Sequence, residues 1–132
     1  LEELHASNIS WERGLVSAGK LRQELSISHC VLGIFGGSEK AGNVVPYKVY
    51  QALASNKPVI SRQGAAISMF GDNCEGVIFV PPSDSVSLAE AIAGLYGSYA
   101  DLGLSLSTRA VYDEHLSNDC LGAKLTAALE RL

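Results

Sequence analysis

Short apolar runs alternate with helix-periodic segments along most of this chain. Residues 18–25 place Leu21 and Leu25 one turn apart, which predicts a short helix. Cys30-Val31-Leu32-Gly33-Ile34-Phe35 is apolar on both faces, the pattern of a strand buried between two layers. A Gly/Ser-rich loop over residues 36–43 follows. Pro46 suits a first helical turn, where its missing N–H costs nothing, and Val49, Ala52 and Leu53 give that helix a buried stripe. Residues 57–61 predict the next short strand, with Asn56 stopping the helix before it. Residues 64–70 predict a brief helix closed by the Gly71-Asp72-Asn73 turn signal. Val77–Val80 is a further apolar strand, ended by Pro81 and Pro82.

The second half reads as helical. Asp84 or Ser85 can cap a helix with the stripe Leu88, Ile92, Leu95, Tyr96 and Tyr99. Another helix is expected over residues 104–115. The last starts near Ser117, with Leu121, Leu125, Ala128, Leu129 and Leu132 on one face. At the other end, residues 1–6 read as the tail of a helix. A short strand is expected at Ile9-Ser10-Trp11, or shifted to Gly14-Leu15-Val16. Buried strands alternating with helices mean an α/β fold with a parallel sheet, here as a single domain spanning residues 1–132.

Composition narrows the function classes. There are 10 Lys+Arg against 14 Asp+Glu, a net charge of −4. An acidic chain with few aromatics lacks the concentrated basic face that a nucleic-acid grip needs, so no nucleic-acid partner is expected. With 47% hydrophobic residues the chain can build a core. No apolar run approaches the roughly 18–20 residues that span a bilayer. Cys30, Cys74 and Cys120 are an odd set without CxxC spacing, which favours a reducing, cytoplasmic setting. His5, His29 and His115 are scattered, so no metal site and no cofactor is expected. Leu1 opens the chain and Met69 is the sole methionine, which reads as a piece of a longer polypeptide or a trimmed form.

In an open parallel sheet, ligands bind beyond the carboxyl ends of the strands. The conspicuous loop there runs from Gly33 through Gly36, Gly37 and Ser38 to Asn43. Its glycines allow backbone to approach a ligand, and the helix beyond it presents N–H groups suited to a phosphate or to sugar hydroxyls. The spacing matches neither GxGxxG nor GxxxxGK[ST]. Lys48 and Gln51 lie three apart on the following helix, as ligand contacts or as a solvated face. Arg62 and Gln63 face the same crevice or solvent. No Ser/His/Asp order or nucleophile-elbow sequence is present, so triad hydrolysis has no support.

Read as one stretch, Pro46-Tyr47-Lys48-Val49-Tyr50-Gln51-Ala52-Leu53-Ala54-Ser55-Asn56-Lys57-Pro58-Val59-Ile60 resembles the P-x-K-x-x-E-A-x-A-x-G-K-P-V-I segment of the GT-B glycosyltransferases of family 4. Downstream, Gly76 to Asp84 followed by Leu88-Ala89-Glu90-Ala91-Ile92 is similar to the family's G-x-x-x-x-x-P-x-D…L-A-x-A-I. Upstream, Trp11 to Val16, a helix and Cys30 to Phe35 resemble the stretch leading into its donor-site loop. The similarity covers nearly all of the chain, and the middle motif is the specific part.

The resemblance implies a Rossmann-like parallel sheet with flanking helices, an incomplete C-terminal domain of a GT-B enzyme. That domain binds a nucleotide-sugar donor (UDP- or GDP-sugar) without a metal, for transfer to an acceptor in polysaccharide or glycolipid synthesis. The full-length protein would be cytoplasmic or peripheral at the inner membrane face. Gly36, Gly37, Ser38, Val44 and Val45 would lie beside the sugar and diphosphate, and Lys48 takes the place of a lysine that related sequences often keep. The family's two acidic donor-site residues fall on Asn43 and Gln51, eight positions apart. Amides still exchange hydrogen bonds with hydroxyls but supply no negative charge.

The resemblance also implies what this chain lacks. The acceptor domain is not here, nor are the first two βα units of the donor domain, which carry a basic Arg/Lys pair that neutralises the departing diphosphate. Stabilising such a leaving group is a large share of catalysis. The chain alone is therefore expected to be inactive. In a sheet of order 3-2-1-4-5-6 it supplies strands 3, 4, 5 and 6, leaving the Cys30–Phe35 strand as an exposed edge. Either the first strand moves in to cover that edge, or the missing domain or a second copy pairs with it. The last helix either crosses to the other domain or packs on its own sheet. A non-catalytic remnant or interaction module is the alternative, and an unrelated flavodoxin-like module is a third reading, opposed by the stretch from Lys48 to Ile60.

Overall fold

The structure is a computed structural model that describes residues 7–70, 74, 76–102 and 107–131. Ser17 opens helix α1 (Ala18–Ile27), its hydroxyl accepting from Lys20 N at 3.2 Å, and no residue of this helix is buried. Strand β1 (Val31–Leu32) follows, then the four-residue helix α2 (Glu39–Gly42) and helix α3 (Tyr47–Ala54). Strand β2 (Val59–Arg62), a 3-10 turn (Ile67–Phe70) and strand β3 (Val77–Val80) complete the sheet elements. Three helices end the chain: α4 (Ser85–Leu102), α5 (Thr108–His115) and α6 (Asn118–Leu129). The strands are all parallel in the order β1-β2-β3, with Val31 beside Val59 and Val59 beside Val77. The fold is thus α/β, an open three-stranded parallel sheet flanked by helices.

Pleating sends alternate residues of β2 to opposite faces, and two cores result. Val59 joins Val49, Ala52, Leu53, Ile67, Phe70, Val77 and Leu116 beneath α3 and α5. Ile60 joins Val80 and Leu95 beneath α4. Helices on both faces explain why the strands read as unbroken apolar runs. Each large side chain buried in this way is worth about 1.5–3 kcal/mol against exposure. The Val49/Ala52/Leu53 stripe, fully buried as its spacing predicts, fastens α3 to the sheet.

Asn56 ends α3 as expected, at φ 55°, a left-handed conformation that asparagine tolerates better than most residues. Ser61 is fully buried against Gly33, where an added Cβ would stand 2.3 Å from the Ser61 hydroxyl oxygen. The strands run that close only because residue 33 has no side chain.

Several expectations need correction. Residues 9–16 form no strand in either register, and Ile9, Trp11, Leu15 and Val16 are exposed. Gly14 at φ 90° interrupts the extended run, and Arg13 lies over the Trp11 ring at 4.7 Å, a local contact in place of a ladder. This segment therefore does not cover the β1 edge. β1 is shorter than Cys30–Phe35, although Gly33 N donates to Ile60 O and Arg62 N to Ile34 O beyond it. The loop over residues 36–43 contains α2, opened by Ser38. Pro46 stands just before α3 as its N-cap, so Val44 and Val45 link two helices instead of starting one.

Helix α6 packs chiefly on α5, not on the sheet, and leaves Leu121, Leu125 and Leu129 exposed. Residues 1–6, the Gly71-Asp72-Asn73 turn, the first turn expected for the 104–115 helix and Leu132 lie outside the described residues. No helix among the described residues is long and apolar enough to cross a membrane.

Candidate functional site

At the carboxyl ends of the strands, loops from all three βα connections meet. Arg62, the last residue of β2, joins two of them. Its Nη1 donates to Gly36 O at 2.6 Å and Ser38 O at 3.1 Å, and its Nε donates to Gln63 O at 2.8 Å. The guanidinium lies against Gly42, where an added Cβ would stand 3.2 Å from Nη2. Gly64 in turn presses on Gly42: a Cβ there would come within 2.7 Å of the Gly42 carbonyl oxygen, to which Ala66 N donates at 3.2 Å. From the third loop, Ser83 N donates to Phe35 O at 2.8 Å, and its hydroxyl would stand 2.9 Å from a Cβ on Gly37. The glycines expected to admit a ligand here also admit protein backbone.

The sequence-predicted site residues divide into distinct roles. Gly36, Gly37 and Ser38 form the rim of this crevice and are exposed. The Ser38 hydroxyl accepts from Ala41 N at 3.2 Å and so caps α2. Asn43 closes α2, its N–H shared between the Glu39 and Lys40 carbonyls, and its position is exposed. Val44 is exposed, whereas Val45 packs against the core beneath α3. Lys48 is exposed on α3 and makes no hydrogen bond or ion pair among the described residues. Gln51, one turn along, is half-buried. The glycine loop and Arg62 are thus in direct contact, while Val45 is drawn into the core.

Comparison with protein-family models, curated proteins and solved structures returns no match. The site's chemistry therefore rests on its own residues.

Those residues offer hydrogen bonds and positive charge. Cys30 and Cys74 are half-buried, and desolvation pushes both thiols up, opposed at Cys30 by a backbone hydrogen bond and reinforced at Cys74 by Glu114. Raised thiols are poor nucleophiles at neutral pH. Among the described residues no group of three or more His, Cys, Asp or Glu is placed to hold a metal ion.

A second concavity lies beside β1, which has no further strand on its outer edge among the described residues. It has a volume of about 540 Å³ and is lined by His29, Cys30, Leu32, Ile92, Tyr96 and Tyr99 over the floor residues Ile60 and Leu95. The His29 and Tyr99 rings meet edge to face at 4.8 Å. Tyr96 is 87% exposed, so the α4 stripe is wider than the sheet beneath it. The helical spacing of Ile92, Leu95, Tyr96 and Tyr99 signalled an apolar face, but not that half of it would be open.

Proposed function

We propose that this chain is the later part of the donor-binding domain of a GT-B glycosyltransferase, taking a UDP- or GDP-sugar at the Gly36–Ser38 rim. The observation that carries the reading is the meeting of that loop with Arg62 and Gly64 at the carboxyl ends of a parallel sheet, where such folds bind ligands. The segment from Pro46 to Ile60, resembling the family's donor-site motif, forms the α3–β2 unit bordering the same crevice. Gln51 would bond the ribose hydroxyls and Asn43 the sugar, each through an amide. Lys48 would add positive charge. The partners are the nucleotide sugar and the remainder of the enzyme, and transfer would require both the acceptor domain and the absent basic pair. Alone, the chain would bind donor and not turn it over.

The open β1 edge and its apolar groove suit the rest of a donor domain, or a second copy in its absence, since an unpaired apolar edge strand templates another chain. Light scattering tests this: a strictly monomeric chain at high concentration removes self-association.

The second reading, a remnant that kept the fold and lost the chemistry, is favoured by the amides at 43 and 51, which stand where the resembled family has carboxylates. Titration of UDP-glucose and GDP-mannose, following the amide signals of Gly36, Gly37 and Gln51, separates the two. Shifts at low millimolar donor support the enzyme fragment. Unmoved signals for both donors leave the remnant.

A further inference from the structure

We infer that Arg62 holds an anion subsite, and that its ligand is a diphosphate. Five N–H donors radiate from a guanidinium. Three are used by the carbonyls of Gly36, Ser38 and Gln63, and these fix the plane of the group. The two on Nη2 have no acceptor among the described residues. No carboxylate among the described residues pairs with Arg62 either. Carbonyl dipoles orient a cation without cancelling it, so a full positive charge stands half-buried at the crevice.

The surroundings leave the group accessible to an oxyanion. The guanidinium lies over Gly42, with no side chain to shield it. Gly36 and Gly37 are exposed on the adjoining rim, and their N–H groups make no hydrogen bond among the described residues. A preorganised guanidinium beside free peptide donors is the chemistry that recognises phosphoryl oxygens. Taking the anion to be a diphosphate rests on the nucleotide-sugar reading above; the unneutralised charge does not. Arg62 would then supply, from the β2 end, positive charge on the donor's phosphates.

The test is titration of the whole chain with sodium pyrophosphate, followed by its amide signals and by the Nε–H and Nη signals of Arg62. The expected result is movement of the Arg62 guanidinium signals together with Gly36 and Gly37, and at least tenfold weaker binding in Arg62→Gln. Arg62→Lys, which keeps the charge and loses the fork, should fall between. Direct observation of the guanidinium in the unaltered protein settles the matter even if the variants unfold. Unmoved guanidinium signals, or an Arg62→Gln chain that binds pyrophosphate as well as the parent, overturn the inference and reduce Arg62 to a loop cross-link. UDP and UDP-glucose form the second arm. If pyrophosphate binds at Arg62 but the nucleotides bind no tighter, the subsite stands and the nucleotide-sugar reading falls. If UDP-glucose binds the rim with the Arg62 signals still, the reading stands and this assignment falls.

Discussion

The buried hydroxyl of Thr108 donates to the side-chain oxygen of Asn56 at 3.2 Å, joining the end of α3 to the start of α5 across 52 residues of chain. The same oxygen accepts from Arg109 N at 3.1 Å, and Arg109 Nη1 reaches the Ala54 carbonyl at 3.2 Å. Asn56 therefore terminates one helix by its backbone conformation and caps another by its side chain. Asn56→Ala loses the cap and places a Cβ residue without local hydrogen bonding in the left-handed region. The expected cost is about 2 kcal/mol, read from urea unfolding. Asn56→Gly relieves the backbone but still loses the acceptor, so its cost should be smaller. Equal costs for the two would show that the left-handed conformation carries no weight.

Glycines in this chain are not interchangeable. Gly64→Ala drives a methyl group into the Gly42 backbone, which cannot swing aside as a side chain would. A loss of about 1–3 kcal/mol is expected. Gly94 lies exposed inside α4 with nothing within 4 Å of a Cβ, and Gly94→Ala should gain about 0.5–1 kcal/mol. Thermal melts of the two variants should move in opposite directions.

Asp84 sets an acid limit on α4. Its carboxylate accepts from the Ser87 N–H, the Ser87 hydroxyl and the Val86 N–H, and these hold its pKa below the usual carboxylate range. A group whose pKa is lowered by folding stabilises the native state above its unfolded pKa. That contribution fades as pH falls through the lowered folded value. Stability of the parent should thus drop more steeply than that of Asp84→Ala as pH falls below the ordinary aspartate range of about 4. Parallel slopes for the two proteins in acid titrations of the melting temperature would remove Asp84 from the account.

The amide positions make a functional prediction. Replacing Gln51 by Glu puts a charged acceptor where the resembled family has one, and charge-assisted bonds to hydroxyls are stronger than neutral ones. UDP-glucose should bind about fivefold tighter to Gln51→Glu, a gain of about 1 kcal/mol by calorimetry. Weaker binding, or none, would count against Gln51 as the ribose contact.

Local signals carried much of the fold. Val49, Ala52 and Leu53 announced a buried face because helical spacing and burial coincide there. Asp84 and Ser117 announced helix starts because their capping is chemistry between near neighbours in sequence, and Asn56 announced a helix end through its tolerance of the left-handed backbone. Legibility failed where the deciding partner is distant. Ile9-Ser10-Trp11 alternates like a strand, yet a strand exists only when a ladder partner meets it, and none does among the described residues. The α4 stripe promised a buried face, but periodicity reports orientation, not whether the chain supplies the covering surface. At the site, the glycine loop was visible from composition alone. The role of Arg62 was not, because its Gly36 and Ser38 partners lie 26 and 24 residues away and no spacing rule links them.

The attachment of α1 has a bearing of its own. Lys57 Nζ donates to the carbonyls of Ser26 and Ser28, both at 2.9 Å, while no side chain of that helix is buried. The helix leading into the edge strand is thus held by an ammonium group beside the half-buried Leu21 and Leu25, where α3 is held by a fully buried apolar stripe. Acetylation of this single lysine, which removes the charge and leaves one N–H donor for two carbonyls, would weaken the hold on the end of α1 while touching neither core.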